Sequence, residues 1–255
     1  MQTIVSRFHE DISWLDKANL SGLVVNKGGD VATENHNFVV ESRPNFGANQ
    51  YDLCHYIYEN YDGLPDLMMF IQGNPFDHCS ENVFWQSIGR NQPCFLDDAV
   101  LTAKKNRGWR KSLEIDAGFS EKNTSWYVDA VNRAVIKKFN FITCQIESYD
   151  EFMNALFQNY SRLEWLRFSP GSQYIVSKEQ CRRYTRQFWK ILRDFIPCTE
   201  AMNGGVEAHL IERALGLIFL GVFTERPQID TAKLVPKQIN YYAPVPIHRK
   251  LLRLL

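Results

Sequence analysis

The chain lacks several features that would restrict its function at once. It has no excess of one charge, because 29 Lys and Arg residues balance 29 Asp and Glu residues, and no dense basic stripe follows a helix or loop. Nucleic acid is therefore not an expected partner. The six cysteines are widely separated and form no Cys-x-x-Cys pair. Their spacing argues against a zinc cluster and against a dense disulfide scaffold.

Long apolar runs are missing as well. The longest such stretch, around residues 214–223, is too short to span a bilayer, and the first ten residues lack the apolar region of a signal peptide. We therefore expect no membrane span, a cytoplasmic location and reduced thiols.

What the chain does contain is an alternation of strand-like apolar runs with helix-like segments. We expect strands at 2–5, 22–25, 38–40, 67–71 and 172–176 and helices at 11–18, 49–59, 149–160, 178–195 and 206–223. This order predicts an α/β fold in which a mostly parallel central sheet is flanked by helices. We expect one domain over residues 1–255, with an inserted loop-rich region at about 91–148 and a C-terminal extension at about 225–255.

The most informative stretch is residues 67–78, where five apolar residues run directly into polar ones. The apolar part predicts a buried strand, and ligands of open α/β sheets bind beyond the carboxyl ends of such strands. The residues expected at that rim are Gln72, Gly73, Asn74, Asp77 and His78. The alternative is an ordinary Gly-Asn-Pro turn in which Asp77 caps the next helix.

Polar clusters also follow the other predicted strands. After the first strand, Arg7 and Glu10 could hold a nucleotide base or ribose, or mark a capped helix start. After the second strand, Lys27 precedes two glycines, which suits phosphate binding or a plain turn, without P-loop or dinucleotide spacing. After the third strand, Arg43 could bind a diphosphate and Asn45 or Asn49 a sugar hydroxyl, next to a Pro-Asn-x-Gly turn.

A further cluster lies in the apolar segment near the C-terminus. His209, Glu212 and Arg213 are spaced i, i+3 and i+4, so they share one face of a helix. Polar residues on a buried helix need partners or a ligand. Two interpretations stay open: a catalytic carboxylate, or a structural ion pair of Glu212 with Arg43 or Lys27.

Segments around these clusters carry a resemblance to a known family. They are residues 4–15, 25–28, 44–47, 58–66, 70–78, 171–177 and 212–213. In this order they resemble the family catalogued as domain of unknown function 3431. The resemblance spans most of residues 3–220, is specific in its central block and is looser between 91 and 148. That family looks like a divergent branch of the GT-A glycosyltransferases, with relatives in fungi, bacteria and large algal viruses.

The resemblance implies a Rossmann-like GT-A domain that moves a sugar from a nucleotide-sugar donor, with a UDP-sugar favoured, to a glycan, polysaccharide or glycoprotein acceptor. For a viral protein the expected location would be the host cytoplasm. In an inverting enzyme Asp77 or Glu212 would accept the proton of the attacking hydroxyl. A retaining enzyme needs no such base, and these carboxylates would then orient the substrate.

The binding residues expected from these patterns form a longer set. We expect the nucleotide sugar to be held by Arg7, Glu10, Asn26, Lys27, Arg43, Asn45, Gln72, Gly73, Asn74, Gln173, His209 and Arg213. GT-A enzymes usually carry an Asp-x-Asp metal motif, whereas the matching rim here has the sequence Gln-Gly-Asn-Pro-Phe-Asp-His. Mn²⁺ or Mg²⁺ held by Asp77 and His78 is therefore an open expectation, and Lys27 with Arg43 could neutralise the diphosphate instead.

Two other function classes are compatible with some of these residues. A non-catalytic carbohydrate-binding or assembly module would keep a GT-A-like pocket and stack sugars on Trp109, Trp126 and Tyr127. A metal-dependent phosphoesterase would need clustered Asp and His ligands. The histidines that could serve it are scattered along the chain: His36, His55, His78 and His209.

Overall fold

The computed structural model describes residues 1–17, 19–31, 35–45, 47–97, 111–114, 118–122, 146, 148–196 and 205–234. It shows a mixed α/β fold with a six-stranded sheet and a small three-stranded sheet. Among the described residues, no helix has both the length and the apolar character needed to cross a membrane. Cys54, Cys79, Cys94 and Cys181 are present as thiols.

The strands and helices follow the predicted alternation. The strands are β1 (Gln2–Arg7), β2 (Ser21–Asn26), β3 (Phe38–Ser42), β4 (Leu67–Gln72), β5 (Cys94–Phe95), β6 (Lys111–Glu114), β7 (Gly118–Lys122), β8 (Trp165–Arg167) and β9 (Tyr174–Ser177). The helices are α1 (Ala48–Glu59), α2 (Glu81–Arg90), α3 (Tyr149–Leu156), α4 (Lys178–Arg182), α5 (Arg186–Phe195), α6 (Gly205–Leu220) and α7 (Thr231–Leu234).

The six strands of the main sheet lie in the order β3-β2-β1-β4-β9-β5. The first four are parallel to one another, and β9 runs antiparallel to both of its neighbours. The prediction of a mostly parallel sheet is therefore confirmed. Because β1 to β4 are parallel, their carboxyl ends meet at one edge of the sheet.

Both faces of β4 are buried, as its continuous apolar run predicts. The edge strand β3 is largely exposed after Phe38. Met68 and Phe70 belong to the larger core, which also contains residues of α1, α3, α5 and α6. Met69 and Ile71 belong to a second core on the opposite face, together with Phe84 of α2. Alternate side chains of a strand point to opposite faces, so the two cores enclose the sheet between layers of helices.

Two of the predicted helices differ from the structure. In the segment 11–18, one 3₁₀ helix forms at Ser13–Lys17, and the Asp11 carboxylate accepts a 2.9 Å hydrogen bond from the Ser13 amide. The segment 178–195, predicted as one helix, contains α4 and α5 separated at Thr185. The Thr185 hydroxyl accepts a hydrogen bond from the amide of Phe188, which caps α5 and starts a new helix.

The predicted insertion and extension are described only in part. The segment 91–148 supplies β5 to the main sheet and pairs β6 with β7 in the small sheet, while most of it lies outside the described residues. Of the extension at 225–255, residues up to 234 are described. Leu234 is fully buried in the larger core, so the beginning of this segment packs as part of the domain.

A close approach of β1 and β2 requires glycine at position 22. A Cβ atom on Gly22 would lie 1.8 Å from the backbone oxygen of Thr3, and a backbone oxygen cannot rotate away. We expect Gly22→Ala to lower the free energy of unfolding by about 3 kcal/mol. As a control, Gly89→Ala in α2 meets no atom within 4 Å and should raise stability by about 0.5–1 kcal/mol. Urea denaturation measures both variants, and equal stabilities would contradict this account.

Candidate functional site

A cavity of about 350 Å³ opens at the edge of the sheet where the four parallel strands end. This volume lies within the range of small-molecule sites in proteins. The cavity is lined by Ser6, Arg7, Phe8, Glu10, Lys27, Asn45, Ala48, Asn49, Gln50, Gln72, His78, Gly171, Ala208, His209 and Glu212. These residues come from the ends of β1, β2, β3 and β4, from the start of α1, from the turn at 170–172 and from α6. The cavity thus brings together polar residues that follow separate strands, including Lys27, and Glu212 of α6, whereas Arg43 and Asp77 lie off its lining.

Arg7, at the end of β1, is buried and is held in place by the protein itself. Its guanidinium donates hydrogen bonds to the backbone oxygens of Glu10, Gly28 and Asp30 and to Oδ1 of Asn26, over 2.6–2.9 Å. All four acceptors are uncharged oxygens. The guanidinium therefore joins the loops after β1 and β2 and leaves a positive charge beside the cavity that none of these acceptors neutralises.

Lys27, immediately after β2, forms a buried ion pair beneath the cavity. Its Nζ lies 2.6 Å from Oδ2 of Asp52 and 2.7 Å from the backbone oxygen of Ala48. The Ser6 hydroxyl also donates to Oδ2 of Asp52. Burial raises the pKa of Asp52, and Lys27 and Ser6 act in the opposite direction. Within the described chain, Oδ1 of Asp52 has no hydrogen-bond partner.

The first turn of α1 faces the cavity. Gly47 precedes the helix with φ 77°, and within the described chain no side chain caps this end. Ala48, Asn49 and Gln50 line the cavity, and the first turn carries no acidic residue. The first N–H groups of a helix lack intrahelical acceptors and bear partial positive charge. Together with Lys27, this end of α1 makes one side of the cavity favourable for an anion.

The turn Pro170–Ser172 lies beside the cavity and forms hydrogen bonds with both α1 and α6. The amide of Gly171 donates to Oε1 of Glu212 over 2.7 Å, and its carbonyl accepts a hydrogen bond from the side chain of Asn49. Gln50 donates to the hydroxyl of Ser172 over 2.9 Å. Gly171 has φ 73°, and a Cβ atom there would lie 2.7 Å from Oε1 of Gln72. Glycine is favoured here by the positive φ, since the end of the Gln72 side chain could move away from a Cβ atom.

Glu212 lies on α6 with three partners around its carboxylate. Arg213 forms an ion pair with Oε2, the Gly171 amide binds Oε1, and Nδ1 of His209 lies 3.6 Å from Oε2. Burial by itself would raise the pKa of Glu212, but Arg213, His209 and the Gly171 amide outweigh it and lower that pKa to about 2. The proposed pairing of Glu212 with Arg43 or Lys27 is wrong, because Arg43 pairs with Glu41 at 2.9 Å and Lys27 with Asp52.

The residues after β4 include both cavity-lining residues and an ordinary turn, the two alternatives considered from the sequence. Gln72 and His78 line the cavity. Pro75–Asp77 forms a 3₁₀ helix whose cap is Asn74, with Oδ1 accepting from the amide of Phe76. The polar run thus supplies two cavity residues and one turn capped by Asn74. Asp77 does not cap the next helix, α2, which has Ser80 at its N-cap position.

Several predicted site residues do not line the cavity: Asn26, Arg43, Gly73, Asn74, Asp77, Gln173 and Arg213. Asn26 accepts from Arg7 and donates to the oxygen of Gly29, and the buried Gln173 donates to the oxygen of Pro75. These two residues thus hydrogen-bond to the protein. Arg213 packs its guanidinium 4.4 Å from the ring centre of Phe168.

The expected metal site does not fit the residues at hand. Asp77 lies away from the cavity lining, and in the described part of the chain no three His, Cys, Asp or Glu side chains group so that they could hold a metal ion. A divalent cation prefers several oxygen ligands, so we derive no step through Mn²⁺ or Mg²⁺. The phosphoesterase hypothesis needs such a group as well. Trp109, Trp126 and Tyr127, expected in a carbohydrate-binding module, lie outside the described residues.

The sequence interpretation missed Phe8, Asp52 and Gly171. The only available signals were weak: an aromatic residue directly after a strand, a carboxylate beside Leu53 in a predicted helix, and a glycine before another strand. Asp52 is 2% exposed. Asp52 matters because it forms the buried ion pair with Lys27, and these two residues are far apart in the sequence.

Comparison with models of known families matches residues 3–233 to the family described as Protein of unknown function (DUF3431). A search of the curated proteins and a search of the solved structures gave no significant match.

Proposed function

The chain belongs to the DUF3431 family, and from the resemblance of that family to GT-A glycosyltransferases and from the cavity we propose that it is a glycosyltransferase. The donor would be a nucleotide sugar, with a UDP-sugar favoured, and the acceptor a glycan, polysaccharide or glycoprotein. The observation that carries the proposal is the meeting of four strand ends, the start of α1 and Glu212 around one cavity. The sheet, parallel from β3 to β4 and followed by antiparallel β9, is compatible with a GT-A fold.

The anion-binding side of the cavity suits the diphosphate of the donor. Lys27 has three N–H donors, of which Asp52 and Ala48 engage two, so one remains for a phosphate oxygen. The start of α1 presents backbone N–H groups to the same space, and Arg7 adds positive charge. These groups would also stabilise the diphosphate as it leaves, when its negative charge increases.

An aromatic surface at the rim suits the nucleobase. Phe8 is 41% exposed and lines the cavity. Its ring contacts His9 at a centroid distance of 4.0 Å, and a Cβ atom on Gly28 would lie 2.9 Å from it. Gly28 therefore allows the ring to rest on the backbone after β2. A flat, supported ring is a favourable partner for a base.

The carboxylate of Glu212 suits the sugar end of the donor. With a pKa of about 2, it is ionised at neutral pH, and it faces the cavity between the turn 170–172 and α6. A fixed negative charge there can orient acceptor hydroxyls and stabilise positive charge on the sugar ring as the C1–O bond breaks. Because a base of such low pKa accepts a proton poorly near pH 7, we do not propose Glu212 as the general base.

Donor binding tests the proposed function. In a thermal-shift panel of UDP- and GDP-sugars with and without Mn²⁺, at least one donor should raise Tm by about 5 °C when present at 100 times its Kd. The same donor should then be hydrolysed slowly without acceptor, with release of nucleoside diphosphate. Stabilisation by free glycans together with no response to any donor would favour the carbohydrate-binding module and refute the transferase.

Replacement of Phe8 sharpens this test. Phe8→Ala should weaken binding of the nucleotide sugar by about 10- to 100-fold, because stacking of one base contributes about 1–3 kcal/mol, and should leave pyrophosphate binding unchanged. Trp165→Ala is the matched control, since Trp165 is 44% exposed and lies off the cavity lining. Isothermal titration calorimetry measures both ligands. An equal loss of affinity for both ligands in Phe8→Ala would show that Phe8 does not bind the base.

A further inference from the structure

His209 differs from the other groups that surround Glu212. It is on α6, lines the cavity, and its side chain is 63% exposed, whereas Glu212 and Arg213 are 11% and 5% exposed. Nδ1 of His209 lies 3.6 Å from Oε2 of Glu212. One ring nitrogen is thus directed to a carboxylate, which leaves Nε2 as the nitrogen available to a molecule in the cavity.

A carboxylate behind an imidazole is an arrangement suited to proton transfer. The carboxylate orients the ring and stabilises the imidazolium that forms when the other nitrogen accepts a proton. The Glu212 carboxylate is itself fixed by the Gly171 amide and by Arg213. Its position is therefore set by the fold before any substrate binds.

We propose that His209 is the general base that takes the proton from the acceptor hydroxyl, and that Glu212 is its positioning residue. The assignment rests on the proposed glycosyltransferase function and replaces the expectation that His209 binds the donor. It also implies a single displacement, and hence inversion of configuration at the anomeric carbon.

The step balances without a further reactant. The acceptor oxygen forms a bond to C1 of the donor sugar while the bond between C1 and the diphosphate oxygen breaks, and that electron pair leaves with the diphosphate. The hydroxyl proton passes to Nε2 of His209. The resulting imidazolium is held by Glu212 and, being exposed, returns its proton to solvent.

The charged groups near His209 determine how its activity should vary with pH. Glu212 and Arg213 lie on the same helix, and the charged or titratable groups that line the cavity from other elements are Arg7, Glu10, Lys27 and His78. A general base accepts a proton only in its deprotonated form, so the rate should fall at acidic pH.

The experiment compares His209→Gln with His36→Gln, since His36 is exposed and lies off the cavity lining. His209→Gln should lower kcat by about 100-fold or more, leave the donor Kd within about twofold, and abolish the rise of kcat with pH. His36→Gln should behave as the wild type. In His209→Ala, added imidazole should restore part of the activity, and Glu212→Gln should lower kcat more than it changes the donor Kd.

The outcomes separate the two proposals. If the wild type binds and turns over no nucleotide sugar, the glycosyltransferase proposal fails, and the role of His209 fails with it. If the wild type transfers sugar but His209→Gln keeps the pH profile, or loses only donor affinity, the base is elsewhere and the present inference alone is overturned. Retention of anomeric configuration in the product, observed by proton NMR, would overturn it as well.

Discussion

Glu212→Gln should lower the free energy of unfolding by about 3–5 kcal/mol at pH 7, which is the usual result of removing one partner of a buried ion pair. The substitution leaves Arg213, 5% exposed, with a neutral amide in place of a carboxylate. It also weakens the hydrogen bond from the Gly171 amide that fixes the turn 170–172.

The Glu212 carboxyl group should also contribute to the pH dependence of stability. Arg213, His209 and the Gly171 amide outweigh the effect of burial and lower the pKa of Glu212 from the ordinary 4.5 to about 2. A carboxyl group with a lowered pKa in the folded state stabilises the fold above its unfolded pKa, and this contribution is lost as pH falls through its folded pKa. The difference corresponds to about 3 kcal/mol, lost between about pH 4.5 and pH 2 in the wild type. In Glu212→Gln this part of the acid sensitivity should disappear.

Urea denaturation from pH 7 to pH 2 measures both effects. Glu41→Gln is the matched control, because Glu41 pairs with Arg43 at a position where its side chain is 48% exposed, and an exposed pair contributes about 0–1 kcal/mol. If Glu212→Gln and Glu41→Gln lose the same small stability, the buried pair does not stabilise the fold as described.

Lys27→Met should destabilise the protein by a similar amount, about 3–5 kcal/mol, by leaving the carboxylate of Asp52 buried without its cation. Burial already raises the pKa of Asp52, and Lys27 is the main group that opposes this. In the variant the pKa of Asp52 rises further, so its neutral form is favoured. The loss of stability relative to the wild type should therefore be smallest at low pH, where both folded proteins contain a neutral Asp52, and should increase as pH rises and the wild-type carboxylate ionises.

A double variant separates the structural role of Lys27 from its role in ligand binding. Lys27→Met with Asp52→Asn removes both charges, so stability should recover most of the loss, giving a strong coupling in a double-mutant cycle. The double variant should still bind the nucleotide sugar about 10- to 100-fold more weakly, because a charge-assisted hydrogen bond to phosphate contributes about 1.5–3 kcal/mol.

Urea denaturation and calorimetry with the donor check the cycle. Lys178→Met is the control, since Lys178 pairs with Asp66 at the surface, where the aspartate side chain is 93% exposed. Additive stabilities of the two single variants would show that Lys27 and Asp52 are not coupled. Unchanged donor affinity in the double variant would remove Lys27 from the diphosphate site.

Local patterns predicted the elements of the sheet well. The apolar run 67–71 became β4. Polar residues at or just after the ends of β1, β2, β3 and β4 line one cavity: Arg7, Lys27, Asn45 and Gln72. Apolar periodicity and turn residues are local properties, so the sequence shows them directly. Parallel strands end at a common edge of the sheet, and the polar residues that follow them therefore lie in the same region.

Ion pairing could not be predicted in this way. The sequence suggested Lys27 or Arg43 as partners of Glu212, whereas Arg213, its neighbour on α6, pairs with it and Asp52 pairs with Lys27. In the same way, spacing predicted one helix from 178 to 195. The Tyr184 hydroxyl donates to the oxygen of Phe223 at the break between α4 and α5, a contact with a distant part of the chain.

By itself, the sequence determined the α/β class, the order of the strands along the chain and the family, because these depend on local apolar patterns and on matching segments. The tertiary structure decided which polar groups face the cavity, which of them pair beneath it, and that Glu212 is anchored while His209 is exposed. These properties depend on burial and on distances between segments far apart in the chain, and a charge acquires its partner and its pKa only when packing removes water from around it.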